Sequence, residues 1–318
     1  MRKIILALSL VSASLIASAQ NYPSQPIKLI IPFAAGGPSD VLARGFAPKL
    51  GENLGQPIII ENKPGAGANL AAEYVANAKP DGYTLFLMMV GTQAINETLY
   101  KKLNYNLVKD FAPISLVGSS SLMFVATPSA PFKTIPELIA YAKANPGKVN
   151  FGSSGTGTPL HLGGELFNTQ AGTDILHVPY KGAAPALTDV LGGQIQTAIV
   201  GTPAALPYVK SGKLTALGVT SLKRSPNAPE IPAISETIPK FEVELVYAIV
   251  APADTPKAIV DKLNAQLVSV LNNPEIKSQL NSRGFEVVTS TPNQLGDYIK
   301  SEVAKWAPIV KKSGASAE

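Results

Sequence analysis

An α/β protein of two domains, each a mostly parallel sheet flanked by helices, is what three features of the 318-residue sequence predict. Short β-branched runs alternate with amphipathic stretches from Ile27 onward, the order that a mostly parallel sheet requires. The runs are continuously apolar rather than alternating, as in strands covered on both faces by helices. Two stretches break the pattern: Asp110–Ser121, and Ser221–Lys240 with proline at 226, 229, 232 and 239. Read as two crossings, they imply one domain assembled from both chain ends, residues 20–121 and 245–318, around a second at 122–244.

In chain order, the predicted strands are Ile27–Ile31, Ile58–Glu61, Thr84–Met89, Leu122–Ala126, Val149–Gly152, Ile175–Val178, Gln196–Val200, Thr215–Val219, Leu245–Ala251 and Phe285–Val288. Helical periodicity marks Asp40–Asn53, Asn69–Ala78, Ile135–Ala144, Pro159–Gln170, Ala183–Gly192, Pro256–Leu271, Pro274–Ser282 and Pro292–Lys312. Several of these open with proline in the first turn, where a missing N–H costs nothing.

Ahead of the first strand, Arg2 and Lys3 precede an apolar stretch from Ile4 to Ile16 and the small-residue ending Ala17-Ser18-Ala19, the pattern of a cleaved secretory signal over residues 1–19. Thirteen residues are too few to span a bilayer, so the expected product is periplasmic. A hydrophobic fraction of 46% excludes whole-chain disorder. The absence of cysteine excludes disulfides, thiolate nucleophiles and Cys-ligated metals. The 27 basic and 22 acidic residues form no run that would read as a nucleic-acid arm.

Five turns, each at the carboxyl end of a predicted strand, carry the chemistry, and open α/β sheets bind ligands at such ends. Pro32–Asp40 passes through Gly36-Gly37 into a helix, so its N–H groups and helix N-terminus favour an anion; alternatively it is a tight turn with Ser39 or Asp40 as N-cap. Phe151–His161 offers Ser154, Gly155, Thr158 and a second helix N-terminus. Its spacing does not match a Gly-x-Ser-x-Gly elbow, which leaves hydrolysis unsupported. Val178–Gly182 presents Tyr180, Lys181 and Gly182, with Lys181 either a solvated turn residue or an anion attractor. Gly91-Thr92 and Gly201-Thr202 repeat the strand-to-helix arrangement. Glu61–Asn69 begins like a dinucleotide fingerprint but has Leu70 in place of its third glycine, and reads as a structural turn. The only histidines, His161 and His177, are candidate bases or ordinary core residues, and they make a metal site improbable. A site rich in N–H and O–H donors and poor in acids suits a carboxylate.

Pro32–Asp40, Glu61–Gly67, Pro80-Asp81-Gly82-Tyr83-Thr84-Leu85, Val178–Gly182 and Asp189–Gln194 together resemble, in order, the Bug (TctC-type) extracytoplasmic solute-binding proteins of tripartite tricarboxylate transporters. The resemblance implies a two-lobed, type II-like periplasmic-binding-protein fold that closes on a small organic acid without catalysis or cofactor and delivers its ligand to a tripartite tricarboxylate-type permease; a monomer is expected. It implies ligand contacts at Phe33, Ala35, Gly36, Gly37, Ser39, Ser154, Gly155, Thr158, His161 and Tyr180, with Asp40 positioning the first loop. The competing readings are an exported enzyme acting on a carboxylate, with His161 as base and Ser154 or Tyr180 as partner, and a sensor that presents its closed form to a signalling receptor.

Overall fold

A computed structural model describes residues 22–226 and 228–317; the secretory signal read at 1–19 lies outside the described residues. The described elements run β1 (Ile27–Ile31), α1 (Pro38–Leu54), β2 (Ile58–Asn62), α2 (Asn69–Ala76), β3 (Thr84–Met89), α3 (Val90–Leu99), β4 (Phe111–Ala126), α4 (Ile135–Ala144), β5 (Asn150–Ser153) and α5 (Pro159–Ala171). They continue with β6 (Leu176–Pro179), α6 (Ala183–Leu191), β7 (Thr197–Gly201), α7 (Thr202–Lys210), β8 (Thr215–Val219), β9 (Glu244–Pro252), α8 (Lys257–Leu271), α9 (Pro274–Ser282) and α10 (Pro292–Ser313).

The strands form one lobe around the order β2-β1-β3-β9-β4 and a second around β4-β7-β5-β6, with β8 on the free side of β4. The long strand β4 belongs to both: Phe111–Ser121 pairs with β9, and Leu122–Ala126 pairs with β7 and β8. The two-lobed α/β expectation holds, but the sheets are mixed rather than mostly parallel. β2-β1-β3 and β6-β5-β7 are parallel, whereas β9 runs against β3 and β4 against β7. The reason is connectivity. A strand that enters a lobe from the other lobe starts at the facing end and runs opposite to strands that travel toward that end, and β9 and β4 are those entering strands.

Four other expectations need correction. Asp110–Ser121 is not an irregular crossing, because Phe111–Ser121 is ladder, with irregularities between Pro113 and Ser115 and between Leu116 and Gly118. Ser221–Lys240 folds back on the second sheet: Val219 bridges Ala233, and Ile231, Ile234 and Phe241 are buried. The chain recrosses just after Val243, whose N–H still bonds Thr220 O at 2.9 Å, and passes directly into β9. Phe285–Val288 forms no strand, only the isolated bridge between Ser119 and Glu286. Helices α3 and α7 are additional, each beginning at the residue after a strand ends, with no linking residue.

One face of the first sheet packs Leu29, Ile31 and Ile249 against Leu42 and Phe46 of α1 and Leu263 and Leu267 of α8. The opposite face packs Ile30, Phe86 and Met88 against Ala71, Ile95 and Trp306, and that cluster continues through Phe124, Phe151 and Phe167 of the second lobe. The turns at the ends of β1 and β5 are thereby anchored to sheets buried on both sides, which fixes their backbones.

Candidate ligand-binding site

The first turn is organised by a buried acid. Proline at position 38 suits N1, so α1 starts there with Gly37 as N-cap; Asp40 is therefore in the first turn rather than capping the helix from outside. Its carboxylate, only 2% exposed, reaches back: Oδ2 accepts from Gly36 N–H at 2.9 Å and from Arg44 Nε at 2.8 Å. Asn62 Nδ2, at the end of β2, donates to Asp40 Oδ1 at 3.1 Å and to Phe33 O at 2.9 Å. The Arg44 hydrogen bond first, then those from Gly36 and Asn62, hold the Asp40 pKa down at about 2 despite burial. Gly36 has φ +81°, a conformation that costs a side-chain-bearing residue about 1–2 kcal/mol. With Gly36 N–H engaged by Asp40 and Gly37 N–H by Ala34 O, the donors left in this turn include the N–H groups of Ala35, Ser39 and Asp40, the last two in the helix's unpaired first turn. Ala35 and Gly36 are exposed, Phe33 and Gly37 half-buried, and Ser39 is buried.

The turn after β5 is a second closed circuit. Thr158 is the N-cap of α5; its Oγ1 accepts from His161 N at 3.3 Å and from Ser154 Oγ at 3.1 Å, and donates to Gly155 O at 2.7 Å. Gly155 N–H is taken by Ser153 Oγ at 3.1 Å, and Gly157 N–H by His161 Nδ1 at 3.0 Å. That last bond makes His161 Nδ1 an acceptor and leaves its proton on Nε2, 3.6 Å from Glu165 Oε1. His161 and His177 stack at 3.9 Å, and Ser153 Oγ lies 2.7 Å from His177 Nε2. Burial pushes both histidines down to about 4, with His177 adding to the effect on His161. Both rings are neutral at pH 7 and serve as scaffolding for the turn.

Tyr180 joins this group through its backbone, donating from N to Ser153 O at 3.3 Å, and its hydroxyl donates to Asp189 at 2.6 Å. That bond and burial, the larger cause, push its pKa up to about 12. Lys181 is exposed, and Gly182, with φ +122°, caps α6. Thr202 is buried, its hydroxyl 2.9 Å from Ser121 Oγ, where β4 changes sheets. Thr92 stands in the first turn of α3 with a buried Oγ1 that finds no partner among the described residues.

Thus Phe33, Gly36 and Asp40 form one hydrogen-bonded unit with Asn62, and Ser154, Gly155, Thr158, His161 and Tyr180 form another with Ser153 and His177. A cavity of about 280 Å³ carries Gly36 and Pro38 on one wall and Gly201 and Pro203 on another, so the first turn meets the turn after β7; the Phe151–His161 turn does not line it. A larger concavity of about 630 Å³ is lined by α1 and β2 and contains none of the turns. Sequence reasoning missed Asn62, Ser153, His177 and Asp189 as supports. Each immediately follows or sits in a segment singled out for other reasons, but a supporting contact 9 to 29 residues distant has no local signature.

Among the described residues, no helix is long and apolar enough to cross a membrane, and no group of three or more His, Asp or Glu residues is placed to hold a metal ion. Residues 42–315 match the family model described as the tripartite tricarboxylate transporter family receptor. The chain is 36% identical over 300 residues to Protein BugT of Bordetella pertussis, an alignment covering 94% of this chain and 92% of BugT. It superposes with a TM-score of 0.79 on an R. palustris protein solved with adipate, 33% identical, covering 93% of this chain and 99% of that one. MatC from Rhodopseudomonas palustris, solved with bound malate, gives a TM-score of 0.75 at 32% identity over 91% of this chain and all of MatC. With matches along nearly its whole length, the chain belongs to the family of tripartite tricarboxylate transporter receptors.

Proposed function

We propose that this protein is a periplasmic receptor that captures a small carboxylate between its lobes, closes on it, and delivers it to a permease of the tripartite tricarboxylate type. The observation that carries the reading is the pair of rigid turns after β1 and β5, each anchored by buried hydrogen bonds and each leading into a helix N-terminus. The adipate and malate held by the two R. palustris relatives support a carboxylate as the ligand. Phe33, Ala35, Gly37, Ser39, Ser154, Thr158, Tyr180, Lys181, Gly182, Thr92 and Thr202 are assigned as the contact set, with Gly36, Gly155, Asp40 and His161 shaping the turns. The continuity of β4 through both sheets supports a division near residues 121 and 244, and closure bends the strands that cross there.

A receptor rather than a catalyst is favoured by the state of the candidate base. His161 is 5% exposed with Nδ1 occupied by Gly157 N–H, and Ser154 hydrogen-bonds Thr158 rather than a histidine. The serine that does touch a histidine, Ser153, is fully buried.

A thermal-shift titration of residues 20–318 with mono-, di- and tricarboxylates tests the reading, since a ligand that binds only the folded state raises the midpoint by mass action. A dose-dependent rise with at least one acid, and no turnover of it, is the expected outcome. Gly36→Leu, in which a side chain is forced onto a left-handed backbone at the mouth of the first turn, weakens that acid at least tenfold. Full-affinity binding by folded Gly36→Leu would remove the first turn from the site.

A further inference from the structure

The cavity beside the first turn has a composition that the carboxylate turns do not explain. Its floor is the β4–β9 ladder, where Ser120 pairs with Leu245 and Gly118 with Tyr247. Since side chains alternate along a strand, Ser120, Leu245 and Tyr247 all stand on one face. That face closes the bottom of the space between Gly36 and Gly201. The Tyr247 hydroxyl is fully buried and has no hydrogen-bond partner among the described residues, an arrangement that carries a real penalty in an otherwise apolar wall. Among the described residues, the Ser120 hydroxyl has no hydrogen-bond partner either. Arg283 lines the same cavity and forms no ion pair among the described residues. No aspartate or glutamate lines the cavity.

Two unpartnered hydroxyls and one unpaired guanidinium in a wall otherwise of proline, valine, leucine and phenylalanine describe a receptor for acceptor oxygens at the end of an apolar spacer. A guanidinium fork matches a carboxylate, and charge-assisted bonds of this kind are about twice as strong as neutral ones. Resting on the reading of the protein as a carboxylate receptor, we infer that Arg283, Tyr247 and Ser120 are specificity-determining residues that read the far end of the bound acid and favour one carrying a second carboxylate. The near carboxylate stays with the turns, the spacer passes Leu245, and the second carboxylate meets Arg283 with the two hydroxyls beneath it. The buried tyrosine hydroxyl then acquires its partner only on binding, which makes the preference for the diacid larger than an exposed arginine alone supplies.

Isothermal titration of residues 20–318 with straight-chain diacids of four to eight carbons, each paired with the monoacid of equal length, tests the inference. At least one diacid binds ten or more times tighter than its monoacid partner. Arg283→Gln abolishes that ratio while leaving monoacid affinity within twofold. Tyr247→Phe reduces the ratio at least threefold and, because it removes an unsatisfied buried hydroxyl, leaves the melting temperature of the ligand-free protein unchanged or raised. Monoacids and diacids that bind equally well, or a ratio untouched by both substitutions, would overturn the specificity assignment while leaving the carboxylate receptor standing. No binding by any acid of the panel would overturn the assignment and count against the receptor reading itself.

Discussion

Asp40 shows how one side chain stabilises a site without facing it. Its depressed pKa means that the folded state favours the carboxylate by about 2 kcal/mol over the unfolded chain, a contribution present above pH 4 and lost as pH falls toward about 2. Asp40→Asn lowers stability at pH 7 by about 1–3 kcal/mol in urea titration, and its stability changes less than wild type's between pH 4 and 2. The histidine pair behaves differently. Both are held neutral to about pH 4, whereas an unfolded histidine takes its proton near 6.5, so stability is fully present above pH 6.5 and declines as pH falls from there to 4. Replacing His177 with Asn flattens that decline in a pH series of urea midpoints. At this scale the sequence was partly legible. The glycines of the turns and the Asp40 carboxylate were visible as chemistry, but the partners that use up Gly36 and Gly155 N–H were not, since Asp40 and Ser153 act as acceptors through geometry that only the folded turn creates.

Among the elements, the strands buried on both faces were legible as unbroken apolar runs, and β4 was not. Phe111–Ser121 carries Pro113, Gly118 and three consecutive serines, a composition that reads as linker; its ladder survives because its partner β9 is apolar and holds it. Helices α3 and α7 escaped for another reason, since nothing in the way of a turn separates each from the strand before it. The start of β9 carries a testable charge. Burial, with Glu242 and Glu286 adding repulsion, raises Glu244 to about 7, against partial relief from Ser119 and Lys305. The folded state therefore keeps this proton where the unfolded chain has released it, and stability contributed by Glu244 is greatest below pH 4.5 and falls as pH rises to 7. Glu244→Gln removes that fall and makes the protein more stable than wild type at pH 7.5; equal stability at pH 7.5 would show the carboxyl to be solvated.

Across the whole molecule, the lobes touch at a point with no slack. Gly284, with φ +85°, follows α9 on the first lobe, and a Cβ built there lies 2.2 Å from Pro203 Cγ on α7. Gly284→Ala wedges the lobes apart: the radius of gyration in solution scattering rises and ligand affinity falls, whereas an unchanged radius would mean that the contact yields locally. The two-lobed plan was legible in the alternation of elements, but the form of the segments between the lobes was not, because proline-rich Ser221–Lys240 looks like a linker and is held down by buried Ile231 and Ile234. The sharing of β4 carries a further consequence for how the chain melts. Neither sheet is complete without its half of that strand, and the first sheet also lacks an interior strand until residue 252 has been made. Calorimetry accordingly records one endotherm rather than two, with matching calorimetric and van't Hoff enthalpies, and either half expressed alone presents a raw sheet edge that draws it into aggregates.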